Sequence, residues 1–216
     1  MTELRKTISR RAVTLALVAT SMAPSARAQP TISPADKALV NRAVAYLESL
    51  TEATARFSQT DARGRASSGT LHLKRPGKAR FAYDPPSGLL VVSDGGRVSM
   101  LDARLKTFDS YPLIATPLSL LLARSIRLDR GVAVTRVTRM SDGFSIAARD
   151  KGKQTAGAIT LTFTDSPLAL SGWTVTDAQG QPTHVQLLNL QRASGLNRSL
   201  FVLNDPRPKN VGRGKI

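Results

Sequence analysis

The sequence predicts a mainly β protein (α+β), in which about ten short antiparallel strands form a meander and two or three helices are inserted. From Thr51 onward, apolar and polar residues alternate with a period of two in successive short stretches that are separated by turn residues. In two other places, apolar residues recur at helical spacing behind a proline. An amphipathic sheet of this size curls into a sandwich or a barrel, and the helices would cover its apolar face.

The first helix is predicted over residues 33–50. Ser33 is a good N-cap residue, Pro34 occupies the first helical position, and Asp36 lies where a capping box places an acid. An apolar stripe at helical spacing is formed by Leu39, Val40, Ala43, Val44, Leu47 and Leu50. We therefore expect this helix to pack its stripe against another element.

Six strands are predicted between this helix and the next. They are TARFSQTD, GTLHLKR, ARFAYD, GLLVVSD, GGRVSMLDA and LKTFDSY. The fourth is continuously apolar, which suggests burial on both of its faces. The run Asp94-Gly95-Gly96 predicts a tight hairpin turn between the fourth strand and the fifth.

A second, short helix and a further group of strands complete the prediction. In TPLSLLLARS, Thr116 can act as N-cap and Pro117 as the first helical residue, and the leucines form one apolar face. The strands that follow are GFSIAARD, AITLTFTD, LALSGWTVTD, THVQLLNLQ and a final short SLFVLN. Residues 205–216 are rich in Pro, Lys and Arg, and we expect them to form a flexible basic tail.

One charged residue breaks the pattern of its strand. Leu71 and Leu73 lie on one face and His72 on the other, so Arg75 falls on the leucine face, just before a proline. If Arg75 points inward, its buried guanidinium needs hydrogen-bond partners. Alternatively, the side chain turns out to solvent and covers apolar surface with its stem. The strand pattern alone does not decide between the two.

Residues 1–28 are predicted to be a cleaved export signal. Four basic residues precede an apolar run from Ala12 to Ala23, which is too short to span a bilayer. Ala26-Arg27-Ala28 then matches a cleavage site, so the mature chain would begin at Gln29. The alternative, an uncleaved signal anchor, is disfavoured by the length of the run. We expect a soluble, non-lipidated exported protein.

The charge of the exported part is strongly basic. Five of the 31 Lys and Arg residues and one of the 15 Asp and Glu residues lie in residues 1–28, which leaves 26 basic and 14 acidic side chains, a net charge of +12. In the cytosol this balance would suggest nucleic acid, but export disfavours that partner. An anionic membrane surface or an acidic protein fits better. A solvated basic surface without a specific partner remains an equally good interpretation.

The search for catalytic chemistry favours a protein that is not an enzyme. The chain has no Cys, which excludes disulfides and thiol chemistry, and its two histidines disfavour a histidine metal cluster. No common hydrolase, metalloprotease or nucleotide-binding motif occurs. Asp94, Asp102 and Asp109 lie at turns and strand ends, where Asp is common, and Trp173 is expected in the core. We predict neither a metal nor a cofactor.

Several stretches together resemble the LolA family of periplasmic outer-membrane lipoprotein carriers. They are ARFSQ, GTLHLKRPGKARFAYDPP, LVVSDGGRV, TPLSLLL, and LSGWTVTDAQGQPTHVQLLNLQ followed by LFVLNDP. The resemblance implies a domain over residues 29–204. It also implies an incomplete antiparallel β-barrel of about ten or eleven strands, with a lid of short helices over a hydrophobic cavity.

The function implied by the resemblance is that of a periplasmic chaperone. Such a carrier binds lipoprotein acyl chains, accepts them from an inner-membrane ABC transporter and delivers them to an outer-membrane receptor, LolB, of the same fold. That receptor is lipidated on a cysteine, so a chain without cysteine resembles the carrier. We expect a monomer with transient membrane contact. The alternatives are a LolA-like module that binds another lipid or senses envelope proteins, and a secreted enzyme.

The resemblance also implies the site residues. The arginine of the family's Arg-Pro motif corresponds to Arg75, which would point inward, bond to lid carbonyls and hold the empty cavity closed. The cavity lining is expected to comprise Phe57, Leu71, Leu73, Phe81, Tyr83, Val91, Met100, Leu118, Leu121, Leu122, Phe163 and Trp173. Ala79 departs from the family, since many relatives carry an aromatic residue there.

Overall fold

A computed structural model describes residues 32–125, 131–152 and 157–207. The strands are β1 (Glu52–Thr60), β2 (Ala66–Lys74), β3 (Lys78–Tyr83), β4 (Leu89–Asp94), β5 (Arg97–Asp102), β6 (Thr107–Pro112), β7 (Val132–Arg139), β8 (Gly143–Asp150), β9 (Ala158–Asp165), β10 (Leu168–Thr176) and β11 (Pro182–Arg192). The helices are α1 (Pro34–Ser49), α2 (Leu118–Leu122) and two 3-10 helices, Leu113–Ala115 and Arg198–Phe201. The predicted signal and residues 208–216 of the predicted tail lie outside the described residues.

The eleven strands form one antiparallel sheet in the order β6-β5-β4-β3-β2-β1-β11-β10-β9-β8-β7. Two meanders, β1 to β6 and β7 to β11, are joined where β1 pairs with β11. Strands β6 and β7 are the two edges, and the sheet is open. The predicted mainly β fold with an incomplete antiparallel barrel is confirmed.

One predicted strand is wrong, and one strand was missed. Strand β7 was not expected, because a bulge between Val134 and Arg136 shifts its register and interrupts the period of two. The stretch SLFVLN is not a strand: it contains the 3-10 helix Arg198–Phe201, whose N-cap Asn197 accepts a hydrogen bond from the backbone of Ser199 at 2.9 Å. The apolar run reflects burial of Phe201, not pairing in the sheet.

Helix α1 begins as its sequence predicts. The Ser33 hydroxyl accepts a hydrogen bond from the Asp36 backbone N–H at 3.1 Å and donates to the Asp36 carboxylate at 2.7 Å. The buried residues of α1 are Leu39, Val40, Ala43 and Leu47. They pack on the apolar face of the sheet, where Tyr46 meets Phe163 of β9 edge to face.

Helix α2 begins differently from its prediction. Its N-cap is Pro117 and it has no side-chain cap. The Thr116 hydroxyl, expected to cap α2, donates instead to the carbonyl of Leu113 at 2.8 Å. The helix is a single turn whose position depends on packing and on contacts at its far end, because five residues cannot form a stable helix alone.

The opposite face of the sheet is covered in one area by the segment 196–203. The Lys74 ammonium donates to the Leu196 carbonyl at 2.9 Å, and Arg80 donates to the Leu200 carbonyl at 3.2 Å. Phe201 of this segment and Val92 of β4 are both almost fully buried. Burial on both faces of β4 is therefore limited to part of the strand, since Leu89 and Leu90 stay partly exposed.

A closed apolar cavity beneath helix α2

An apolar cavity lies between α2 and the centre of the sheet. Every side chain that lines it is apolar. The lining residues are Leu71, Leu73, Ala79, Phe81, Leu118, Leu121, Leu122, Leu170, Trp173, Leu187 and Leu190. Its volume is only about 10 Å³, close to the space that a single water molecule needs. The structure therefore shows this cavity closed around the leucines of α2.

Seven of the twelve residues expected to line a cavity surround this closed space. Four of the others lie elsewhere in the apolar core or pack against it, and Met100 lies on β5. Phe57 packs edge to face on Phe81 and on Tyr83, at 5.7 and 5.0 Å between ring centroids. Phe163 lies farther along the sheet, stacked on Phe144 at 5.3 Å. Val91 and Met100 pair with each other on β4 and β5, toward the β6 edge.

Four lining residues were not in the expected lining: Ala79, which was noted only as a departure from the family, and Leu170, Leu187 and Leu190. Leu170 shares the alternation of Trp173 only across a bulge between Leu170 and Gly172, which shifts the register of β10. Leu187 continues the apolar alternation of Val185, and this signal could have identified it. Leu190 follows Asn189, whose positive φ of 54° interrupts the period of β11.

A second apolar cavity of about 30 Å³ lies between α1 and the other half of the sheet. It is lined by Val40, Ala43, Val44, Leu47, Leu120, Val132, Val134, Ile146, Ala148, Ile159 and Leu161. Leu120 of α2 belongs to this cavity, whereas the other leucines of α2 line the first one. Helix α2 thus contributes to both cavities.

The turn between β2 and β3 holds the end of α2. The Gly77 N–H donates to the carbonyl of Leu122 at 2.8 Å, and Nη2 of Arg75 donates to the carbonyl of Ala123 at 2.5 Å. These carbonyls are among those that a helix leaves without partners at its C-terminus. We call residues 118–123 the lid, because they cover the first cavity and are held by this turn.

Arg75 is a buried cation with little compensation. The residue is 9% exposed, and its Nε and Nη1 atoms have no hydrogen-bond partner within the part of the chain that the structure describes. Burial lowers the pKa of its guanidinium, and the opposing effect of the Glu48 charge is smaller. The two interpretations of Arg75 are thereby distinguished: the side chain points inward in this structure.

The β2–β3 turn, which includes Arg75 and Gly77, contacts the hairpin formed by β4 and β5. The Gly77 carbonyl accepts a hydrogen bond from the buried Ser93 hydroxyl at 2.6 Å. Gly77 has a φ of +80°, and a Cβ atom there would lie 2.7 Å from the Cα of Gly95. A side chain at position 77 is therefore excluded both by the backbone conformation and by the neighbouring turn.

Two of the three carboxylates weighed as catalytic groups serve local structure, whereas Asp109 lies within β6 and not at a strand end as expected. Asp94 accepts hydrogen bonds from the backbone of Gly96 and of Arg97, both at 2.8 Å, which confirms the predicted hairpin turn. Asp102 accepts two backbone hydrogen bonds in the same way, both at 2.9 Å. Residues 32–125, 131–152 and 157–207 contain no group of three or more potential metal ligands.

The family assignment follows from a comparison with known proteins. The model of the family described as "Outer membrane lipoprotein carrier protein LolA" matches residues 48–204. The chain belongs to the LolA family. That description is of a carrier, and it agrees with the resemblance carried by the Arg-Pro turn and the hairpin after it. Within the described part of the chain, no helix has the length and apolar character needed to cross a membrane.

Relatives in the LolA family share modest identity over most of their length. An outer-membrane lipoprotein carrier protein of Methylobacillus flagellatus is 29% identical over 175 residues, which cover 77% of this chain and 85% of the relative. One of Xylella fastidiosa is 31% identical over 163 residues, 68% of this chain and 75% of the relative. A solved structure of a LolA superfamily protein from Nitrosomonas europaea aligns with 76% of this chain and 97% of its own, with 10% identity and a TM-score of 0.47.

Proposed function

We propose that this protein is a periplasmic carrier that binds lipoprotein acyl chains in the cavity beneath α2 and transfers them from the inner to the outer membrane. The observation that supports this most strongly is an entirely apolar cavity covered by a short lid that is held at one end by the β2–β3 turn. Nothing in this arrangement serves bond cleavage or group transfer, so we propose binding without catalysis.

The cavity must open to accept its cargo, because the closed space of about 10 Å³ cannot hold an acyl chain. Displacement of the lid removes Leu118, Leu121 and Leu122 from the first cavity and Leu120 from the second. The two spaces would then join into one that extends beneath α1. We propose that this joined space is the acyl-binding site and that Arg75 holds the lid closed when the site is empty.

A closed empty state makes release possible. Burial of an acyl chain contributes about 0.8 kcal/mol per methylene, so three chains of roughly fifteen methylenes would contribute about 36 kcal/mol. This exceeds the practical limit of about 18 to 21 kcal/mol for non-covalent binding. Opening the lid exposes leucines and breaks the bonds to Leu122 and Ala123, which offsets part of the gain.

The partners belong to the same proposal. The carrier would accept lipoproteins from an inner-membrane ABC transporter and deliver them to a LolB-like receptor at the outer membrane. The net charge of +12 that remains beyond residue 28 favours transient contact with anionic membrane surfaces. A monomer would expose the lid to both partners in turn.

A solubility assay tests the proposal. A triacylated reporter lipoprotein in detergent is diluted below the micelle concentration, with and without this protein, and the soluble fraction is analysed by size exclusion. We expect a soluble complex with the acylated reporter and none with the same reporter carrying serine in place of its lipidated cysteine. Equal precipitation with and without the protein would contradict a carrier function. Retention of phospholipid but not of the reporter would favour the lipid-binding alternative.

A further inference from the structure

We propose that Arg75 also binds the cargo directly, by donating hydrogen bonds to a carbonyl oxygen of an acyl ester. This inference rests on the proposed carrier function. It assigns to the cavity a polar recognition point that selects acyl groups over plain hydrocarbon.

The first argument is that the guanidinium of Arg75 has N–H groups without an acceptor among the described residues. An arginine carries five N–H groups, and Arg75 uses Nη2 for the carbonyl of Ala123. Its Nε and Nη1 atoms are buried and have no acceptor among the described residues. A buried charged group with unused donors is costly, and a ligand that supplies an acceptor removes part of that cost.

The second argument is that Arg75 lies beside residues of the cavity wall without itself lining the closed space, because its hydrogen bond to Ala123 is adjacent to the lining residue Leu122. Leu73 and Ala79 are cross-strand partners on β2 and β3, both line the cavity, and both lie within four residues of Arg75. The next residue, Pro76, is exposed. A chain that packs along Leu73 and Ala79 would therefore have its polar end near Arg75 and the surface, with its methylenes inside.

The third argument concerns what happens when the lid moves. Displacement of the lid removes the carbonyl of Ala123 and leaves Nη2 without that acceptor as well. A carbonyl oxygen of the cargo restores an acceptor of the same chemical type. Replacement of the Ala123 carbonyl by a cargo carbonyl keeps the buried guanidinium hydrogen-bonded both when the lid is closed and when it is open. Lid opening is thereby coupled to a ligand that carries a carbonyl group.

The test compares ligands that differ only in the carbonyl groups. The first pair is an N-acetylated cysteinyl peptide with two ester-linked chains on its glyceryl group and the same peptide with ether-linked chains of equal length. The second pair is diester and diether phosphatidylglycerol. Affinities for the full chain are measured by displacement of a fluorescent apolar probe, and the ester carbonyl band is followed by infrared spectroscopy.

We expect the wild-type protein to bind an ester ligand at least about tenfold more tightly than its ether partner, with the carbonyl band shifted to lower frequency. The Arg75→Leu variant should bind both members of a pair alike. The control variant Arg63→Leu, an exposed residue in the β1–β2 turn, should keep the preference. A preference in the peptide pair identifies the lipoprotein as the source of the carbonyl, and one confined to the phospholipid pair identifies a membrane lipid.

Two outcomes separate this inference from the proposed function. Equal affinity of wild type for ester and ether ligands would overturn carbonyl recognition and leave the carrier function intact. Failure of the protein to bind the probe and all four ligands would overturn both. If Arg75→Leu does not fold, the wild-type comparison and the carbonyl band still decide, and Arg75→Gln provides a second variant of similar length.

Discussion

Helices α1 and α2 cover the same apolar face of the sheet, but they are held in different ways. Helix α1 has sixteen residues, a complete N-terminal cap and four buried side chains. Polar contacts also tie it along its length: Arg139 to Asp36, Arg42 to Asp165, and Arg192 to the carbonyl of Ser49. We therefore expect α1 to act as a fixed wall of the second cavity, which it lines.

Helix α2 has five residues and no side-chain cap. Its leucines are divided between two small cavities, and its last carbonyls are bound by a single turn through Arg75 and Gly77. If the protein is a carrier as proposed, α1 is the fixed part of this apolar core and α2 is the movable part. Burial is similar in both, so the movable part is distinguished by its length and by where it is held.

Truncation in α1 should give the largest loss of global stability. Leu47 is 1% exposed, and Leu47→Ala should lower the free energy of unfolding by about 2 to 5 kcal/mol, because it removes buried methyl groups and leaves a cavity. Chemical denaturation measures the change. A loss below about 1 kcal/mol would contradict the description of α1 as a fixed wall.

Loss of Arg75 should act on α2 and spare the rest. Arg75→Leu removes a charge-assisted bond of about 1.5 to 3 kcal/mol, so opening of the lid should become about 10 to 150 times more frequent. Global stability should change by less than about 1 kcal/mol, because an incompletely paired buried cation is also removed.

Hydrogen exchange of the α2 amides measures lid opening in Arg75→Leu, and denaturation measures its global stability. Arg63→Leu again serves as the matched control, with no expected change in either quantity. If the Arg75→Leu variant folds and the exchange of its α2 amides is unaltered, the proposal that Arg75 holds the lid is wrong.

The same truncation in α2 should be tolerated better than in α1. Leu121 is 2% exposed, nearly as buried as Leu47. If the lid opens independently, the cost of Leu121→Ala cannot exceed the free energy of opening, and we expect a global loss below the 2 kcal/mol at the lower end of the range for such truncations. Exchange in α2 should accelerate. Equal losses for the two leucines would show that α1 and α2 unfold as one unit.

The smallest effect is expected from the cap of α1. Ser33→Ala should cost about 1 kcal/mol, since the Asp36 N–H loses its side-chain acceptor. Exchange should increase in the first turn of α1 and stay constant in α2. Faster exchange in α2 would mean that the start of α1 and the lid are coupled, which would weaken the contrast between them.

The alternation of the sequence predicted most of the sheet, but it left the direction of Arg75 open, and only the family resemblance favoured the inward one. The alternation failed where the chain departs from a regular period. Strand β7 was missed because a bulge interrupts its alternation. The segment around buried Phe201 was predicted as a strand because of its apolar residues, but it is a capped 3-10 helix. The predicted N-cap of α2 was also wrong, because the hydroxyl of Thr116 donates a hydrogen bond to the carbonyl of Leu113. A threonine can make either interaction, so residue type alone does not predict which one forms.

The cavity lining was harder to predict than the strands. Alternation assigns a residue to a face of the sheet, but it does not say how far along the sheet that residue lies from α2. Phe163 and Leu71 are both inward-facing, yet only Leu71 lies beneath the lid. The distance of a residue from α2 depends on the order of the strands in the sheet. That order is set by the pairing of β1 with β11, which joins residues far apart in the sequence.

The two free edges of the sheet, β6 and β7, affect how much space the sheet can enclose. A closed barrel has a circumference set by its strand number and stagger, so widening it requires ladder hydrogen bonds to break. In this sheet each edge strand has one neighbour, and all ten strand pairings can persist while the two edges move apart. If the protein carries acyl chains as proposed, the girth of the sheet can therefore adjust to the size of the cargo without the loss of any strand pairing.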